Sequence, residues 1–317
     1  MNILHRNTAA TPLLALGTLR SMARILAISS QVARGHVGLS IVVPALQALG
    51  HEAIALPTVV LSNHPGHAHV AGTRIEPAVL HKMLDALEAN GWLAGIDGVL
   101  TGYLPSEAHV AFAAEAVGRA RAASPRLIYL CDPVLGDDPK GLYIDEAAAR
   151  ATRDRLIGLA DIATPNRFEL SYLNSAHATV DVRSAADALN FHLACATTVA
   201  TSIPSHEPGK TMNAMYSRGA TALTSVALRE GAPHGTGDLF SALLLSAFLD
   251  RPDVFDALAL ATAGVDAVLA ASTGGDELAI AALPGKADAP LSWPIAQAAA
   301  GTDGQGSIML PPRRPAL

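Results

Sequence analysis

Cysteine is scarce: Cys131 and Cys195 are the only two in 317 residues, too few for a disulfide scaffold and in keeping with a reducing, cytoplasmic compartment. Basic residues are fewer than acidic ones, 22 Lys and Arg against 28 Asp and Glu for a net charge of −6. With no basic block anywhere, that balance argues against a surface built to neutralise nucleic-acid phosphates. Apolar runs of the roughly 20 residues that a membrane span needs are also missing, because Thr, His, Asp or Gly breaks each one. Thr11 to Leu19 comes nearest to a signal segment, and no small-x-small cleavage site follows it. The expectation is a soluble chain with neither membrane nor nucleic acid among its partners. Its 50% hydrophobic composition suffices for one large core or two ordinary ones.

Several catalytic signatures are absent as well. The twelve histidines form no His-Glu-x-x-His and the cysteines no Cys-x-x-Cys, so zinc is not supported. His64, His67 and His69 cluster about Gly66 without a carboxylate or thiolate at ligand spacing, and read as a loop that shapes a pocket. No Gly-x-Ser-x-Gly elbow surrounds Ser29-Ser30, and neither cysteine has a favourably spaced His, which weakens any case for nucleophilic hydrolysis. Walker A and the protein-kinase Gly-rich loop are missing too, so phosphoryl transfer would require another scaffold.

What is present is alternation. From Arg24 onward, short β-branched or Leu-rich runs alternate with longer amphipathic stretches, the pattern of βα units and a largely parallel sheet. Strands are predicted at Ile25 to Ser29, Glu52 to Val60, Gly98 to Thr101, Arg126 to Cys131, Asp161 to Thr164 and Thr197 to Ala200. Helices are predicted at Leu39 to Leu49, Pro77 to Leu87, Ala108 to Ala123, Leu239 to Leu249 and Ala257 to Ala271. Residues 1–21 show no periodicity or motif and are expected to be a dispensable extension, with the domain running from 22 to 283. From Pro284 to 317, Pro, Gly and Ala dominate without period, and an irregular tail is expected.

Ligands of open α/β sheets bind beyond the carboxyl ends of the strands, so the polar residues there are the candidates. Gly235-Thr236-Gly237-Asp238 opens the most apolar helix. Two glycines about one residue can turn successive N–H groups inward as an anion nest, and Asp238 could take the proton of an attacking hydroxyl. A plain helix start accounts for the same residues. Asp132, in Cys131-Asp132-Pro133-Val134-Leu135-Gly136-Asp137, could hold water on a hard cation such as Mg²⁺ or simply form an Asp-Pro turn. Asn166 and Glu169 stand one turn apart, as paired ligands or as an N-cap with its N3 partner. Residues alone leave these alternatives open.

Taken in order, Ser30-Gln31-Val32 with Gly35-His36-Val37-Gly38, Ser62-Asn63-His64, Gly102-Tyr103-Leu104, Cys131 to Asp137 and Gly235 to Phe240 resemble the pyridoxal kinases of the ribokinase-like superfamily, over about Arg24 to Leu283. The resemblance implies an α/β fold, a central and mostly parallel sheet flanked by helices, with a small lid or flap. It implies ATP-dependent phosphorylation of the 5′-hydroxymethyl group of pyridoxal, with pyridoxine and pyridoxamine as further acceptors. Carried over by position, Asp238 is the base; Gly235, Thr236 and Gly237 the anion hole; and Ser30, Thr58 and Tyr103 the vitamer contacts. Asp132, Asn166, Thr201 and Ser202 would bind ATP, with Asp132 and Glu169 on the side of its Mg²⁺. A monovalent cation such as K⁺ is implied near the nucleotide, without assignable ligands. A homodimer is expected, with the Ala-rich helices Ala108 to Ala123 and Ala257 to Ala271 offering faces that could pack. Departures are the extension before Met22, Pro105 where many relatives have Gly, and Ala200 where Val is common. The rival readings are a hydroxymethylpyrimidine kinase, another small-molecule kinase of this fold, or a pyridoxal phosphate binder without turnover.

Overall fold

Arg24–Val32 shows why the sheet must be covered on both sides. Leu26 and Ile28 join one hydrophobic cluster, while Ile25 and Ala27 join another on the opposite face, as the period of two in a strand requires. All four are inaccessible to solvent. The computed structural model of the protein describes residues 22–174, 181–229, 231–283 and 294–298. Residues 1–21 lie outside that set.

The chain runs β1 (Arg24–Val32), α1 (Leu39–Ala48), β2 (Glu52–Leu61), β3 (Gly72–Arg74), α2 (Pro77–Ala89), β4 (Gly98–Thr101), α3 (Glu107–Ala123) and β5 (Ile128–Cys131). A small ribbon follows, β6 (Gly136–Asp137) with β7 (Gly141–Leu142), then α4 (Glu146–Ala151), β8 (Ile162–Ala163), α5 (Arg167–Asn174) and α6 (Ala185–Asn190). The last part is β9 (Thr197–Pro204), β10 (Lys210–Ser217), β11 (Ala220–Ala227), α7 (Thr236–Asp250), α8 (Val254–Ala271) and β12 (Ala296–Ala298). The main sheet has ten strands in the order β12-β11-β10-β9-β8-β5-β4-β1-β2-β3. From β9 to β2 every neighbouring pair is parallel, and both edges are antiparallel. One face is packed by α1, α7 and α8; α2, α3 and α4 cover the other. This is the expected α/β architecture.

The winding reverses between β1 and β4, since β2 follows β1 on one side and β4 lies on the other. That makes the gap between their carboxyl ends a topological switch point. Helix α7 is delivered there. Its Leu239, Leu244, Leu245 and Leu249 are buried, each contributing roughly 1.5–3 kcal/mol.

Three features differ from the sequence reading. Lys210–Ser217 and Ala220–Ala227 form an antiparallel hairpin that no periodicity announced, because polar and apolar residues are mixed along both strands. Residues 284–293 and 299–317 of the C-terminal segment lie outside the described residues, but Ala296–Ala298 pairs with β11 as an edge strand; the sheet edge, not local propensity, orders it. Helix α8 is long and apolar enough to cross a membrane by length and composition, although every apolar run had seemed interrupted. It packs on α7 and β11 as a core helix, burying Ala257, Leu258, Ala261 and Val268.

Candidate active site

A cavity of about 910 Å³ opens along the carboxyl edge of the sheet, and Ser30, Tyr103, Asp132, Asn166, Glu169, Thr201, Ser202 and Gly235 to Asp238 all line it. Residues drawn from many separate stretches of chain therefore meet at one place. Thr58 alone among the candidates stands behind the wall: it is fully buried, and its hydroxyl donates to the Tyr103 carbonyl at 2.7 Å. It sits where β2 carries one more residue than β1, with Ser29 opposite Pro57 and Gln31 opposite Val60. Such a bulge re-aims the strand end toward the cavity. Tyr103 is held a second time by Ser29 Oγ, which accepts its N–H at 3.0 Å. Burial raises its phenol above the usual range.

Gly235 caps α7 in the left-handed region, φ 98°, and no side chain caps the first turn. The leading N–H groups of the helix are thus left for a ligand, beside the positive end of its dipole. Glycine is required at 235, since a Cβ there would lie 1.8 Å from the His36 carbonyl oxygen. Asp238 follows in the first turn, facing the β4 end at Gly102. Desolvation raises its carboxyl above the ordinary aspartate range, opposed by a hydrogen bond from Gly38 N–H.

Asp132 ends β5 close enough to Asp238 for the two charges to repel. Burial first, then Asp238, pushes the Asp132 carboxyl up, against hydrogen bonds from Ser241 and Thr164. Ser241 Oγ donates to Asp132 Oδ2 at 2.9 Å and meets Thr164 Oγ1 at 2.8 Å. Glu169 is also raised, by burial and then by Asp132. It forms a reciprocal capping box at the start of α5: its Oε2 accepts Asn166 N–H at 2.8 Å, and Asn166 Oδ1 accepts Glu169 N–H at 2.9 Å. Glu169 Oε1 accepts Leu135 N–H at 2.9 Å. The cap and the cavity wall are the same residues.

Thr201 and Ser202 lie in a bulge of β9, between Ala200 and Ile203 in its pairing with β10. Ser202 adopts φ 57°, an uncommon conformation for a residue with a Cβ and one that concentrates at ligand sites. Beyond it, Asn213 Nδ2 donates to Thr224 and Thr262, and Arg229 pairs with Asp266 at 2.8 Å. Asn213, Thr262, Arg229 and Asp266 all line the cavity, and sequence reasoning missed them. The Arg218-Gly219 pair, both at positive φ, was the one local signal of the hairpin that carries Asn213.

At the opposite side His64, Pro65 and Gly66 form part of the wall, so the His-rich loop does shape the pocket. His64 stacks on His234 with ring centroids 3.8 Å apart. Burial, then His234, Lys140 and His67, lower the His64 imidazole to about 4. Arg74 and Lys140 add basic groups to the lining. Among the described residues no cluster of three or more His, Cys, Asp or Glu forms a metal centre. Cys131 is free and buried, with its thiol pushed up to about 12 by desolvation.

Residues 38–279 match the phosphomethylpyrimidine kinase family. A pyridoxal kinase of Deinococcus radiodurans is 34% identical over 277 residues, covering 84% of this chain and 93% of that relative. The chain belongs to the pyridoxal kinase family. The human pyridoxal kinase is 33% identical over 70% of this chain and 76% of its own length. Pyridoxal kinase from Leishmania donovani, solved in complex with ADP and pyridoxamine, superposes with a TM-score of 0.77 at 30% identity over 85% of this chain and 98% of that one. The Entamoeba histolytica enzyme gives 0.79 at 26% identity over 87% and 99%. These similarities identify the architecture as ribokinase-like.

Proposed function

We propose that this kinase transfers the γ-phosphoryl group of ATP to the 5′-hydroxymethyl group of pyridoxal, with pyridoxine and pyridoxamine as further acceptors. The observation that carries the reading is that Asp238 and the N–H groups of Gly235 to Gly237, which no side chain caps, line one cavity with the other candidates. The vitamer would lie toward Ser30 and Tyr103, with Thr58 acting through Tyr103. ATP would lie toward Asn166, Thr201 and Ser202, extending to the β10–β11 hairpin. Asp238 accepts the hydroxyl proton, and the helix terminus stabilises charge on the migrating group. Positioning supplies much of the acceleration.

Mg²⁺ enters with ATP in this proposal and would neutralise phosphate charge. Asp132 and Glu169 fit it as hard oxygen donors, two adjacent buried acids whose ionised forms lack a nearby cation. Both Glu169 oxygens already accept backbone N–H groups, which favours contact through water. A monovalent cation such as K⁺ belongs to the reading without assigned ligands. So do a homodimeric state and a cytoplasmic location; sedimentation giving only monomer at micromolar concentration refutes the former. The functional test is a coupled ADP-release assay across the three vitamers and hydroxymethylpyrimidine. Turnover is expected with pyridoxal; turnover with the pyrimidine alone, or binding of pyridoxal phosphate without any turnover, overturns the proposal.

A further inference from the structure

The loop between β1 and α1 lies against the start of α7. The His36 carbonyl sits against Gly235, Gly38 packs on Ser30, and Val37 lines the cavity with Gly235 and Asp238. On the β2 side the loop is tied by Ala33 N–H to the Leu61 carbonyl at 2.8 Å and Arg34 N–H to the Ser62 carbonyl at 2.9 Å. Those bonds hold its beginning only. Its middle, Gly35 and His36, is held from the far end of the chain by a residue outside the cavity lining.

That residue is Glu277. Its Oε2 accepts His36 N–H at 3.2 Å and its Oε1 accepts Arg34 Nη1 at 3.2 Å. The approach is close enough that a Cβ on Gly35 would stand 3.0 Å from both carboxylate oxygens. Glu277 is itself fixed: the neighbouring Leu278 is buried in the cluster shared by α1, α7 and α8, and Ala279 N–H donates to Ser272 Oγ at 2.8 Å. Asp276 beside it pairs with Arg34 at 2.7 Å, but with both side chains largely exposed, where an ion pair contributes little.

We infer that Glu277 is a positioning residue for phosphoryl transfer, anchoring the Gly35–Gly38 segment so that the His36 carbonyl holds Gly235, and with it Asp238 three residues on, in register. The inference rests on the proposed role of Asp238. Removing the acceptor frees the middle of the loop, and a displacement near 1 Å at the reacting groups can cost about 10²-fold in rate. The ties to Leu61 and Ser62 remain, so a loss of about 10-fold is expected here.

The test compares Glu277→Ala, Glu277→Gln, Asp276→Asn and Asp238→Asn in the full chain. Glu277→Ala should lower kcat about 10-fold while KM for vitamer and ATP changes less than threefold and the melting temperature stays within 2 °C. Glu277→Gln keeps an oxygen for His36 N–H and should recover to within threefold of the parent; Asp276→Asn should stay within twofold. In the Asp238→Asn background, Glu277→Ala should cost nothing further, because groups acting as a unit are not additive. Wild-type kcat in Glu277→Ala, an equal loss in Glu277→Gln, or the same 10-fold cost in both backgrounds overturns the positioning role. Wild-type turnover in Asp238→Asn alone instead refutes the base assignment, so the two failures are distinguishable.

Discussion

Gly235→Ala is the sharpest perturbation of the anion loop, because it adds one methyl group and no charge. At φ 98° an alanine is strained by about 1–2 kcal/mol before it meets anything. Its Cβ would then stand 1.8 Å from the His36 carbonyl oxygen, where real Cβ contacts essentially never fall under 3.0 Å. Helix α7 and the β1–α1 loop must part by more than about 1 Å, enough to cost on the order of 10²-fold in kcat. Strain and separation together should remove about 2–3 kcal/mol of stability, lowering the melting temperature by roughly 3–5 °C. Calorimetry and steady-state kinetics on the same preparation read both effects. Gly237→Ala is the control: a Cβ there meets no heavy atom within 4 Å, and 237 is not among the positive-φ glycines. It should melt no lower than the parent, whatever it does to activity. A Gly235→Ala protein melting within 2 °C of the parent with kcat within threefold would refute the close-approach argument, as would equal destabilisation by Gly237→Ala.

Asp238→Asn keeps the side-chain shape but cannot take a proton at neutral pH, so kcat should fall about 10²-fold or more while calorimetric affinities for vitamer and ATP stay within a few-fold. Thr58→Val removes the donor to the Tyr103 carbonyl without changing shape; KM for the vitamer should rise several-fold, with a stability loss of about 1 kcal/mol read by urea unfolding. Asp132→Asn tests linkage without nucleotide or Mg²⁺. The folded state raises the Asp132 carboxyl, so ionising it costs stability as pH climbs above the ordinary aspartate range. The variant should match the parent near pH 4 and melt higher at pH 8, by about 1.4 kcal/mol for each unit of upward shift, while losing activity; an identical stability profile for the two proteins would contradict the burial argument.

The parallel core was legible because its strands are buried on both faces and its helices carry long apolar stripes. Gly98–Thr101 was read to the residue, and α1, α2 and α3 to within two residues at each end. What escaped was structure that depends on partners. The β10–β11 hairpin hides behind Met212, Asn213 and Ala214, where polar and apolar side chains are mixed. Ala296–Ala298 carries no β signal at all and is ordered by the edge it completes. The part of the cavity wall that this hairpin supplies went unread with it, since Asn213 means nothing until its strand is placed.

Asn166 and Glu169 show why a choice between helix cap and functional site could not be made from residues alone. At the carboxyl edge of a parallel sheet the next helix begins beside the cavity, so a good N-cap is also part of its wall. Capping and ligand contact then compete for the same atoms, and what separates the residues is which acceptors are left over. Glu169 commits Oε1 to the backbone of Leu135 and Oε2 to that of Asn166, which leaves it few acceptors for a direct ligand. Asp238 lines the cavity and faces the β4 end at Gly102, while Gly235 caps α7 without a side chain. Two acids in similar sequence settings, each in the first turn of a helix after a strand, thereby differ in acceptor capacity. That capacity is fixed by the loop and ribbon backbones that fold over them, which no spacing in the sequence encodes.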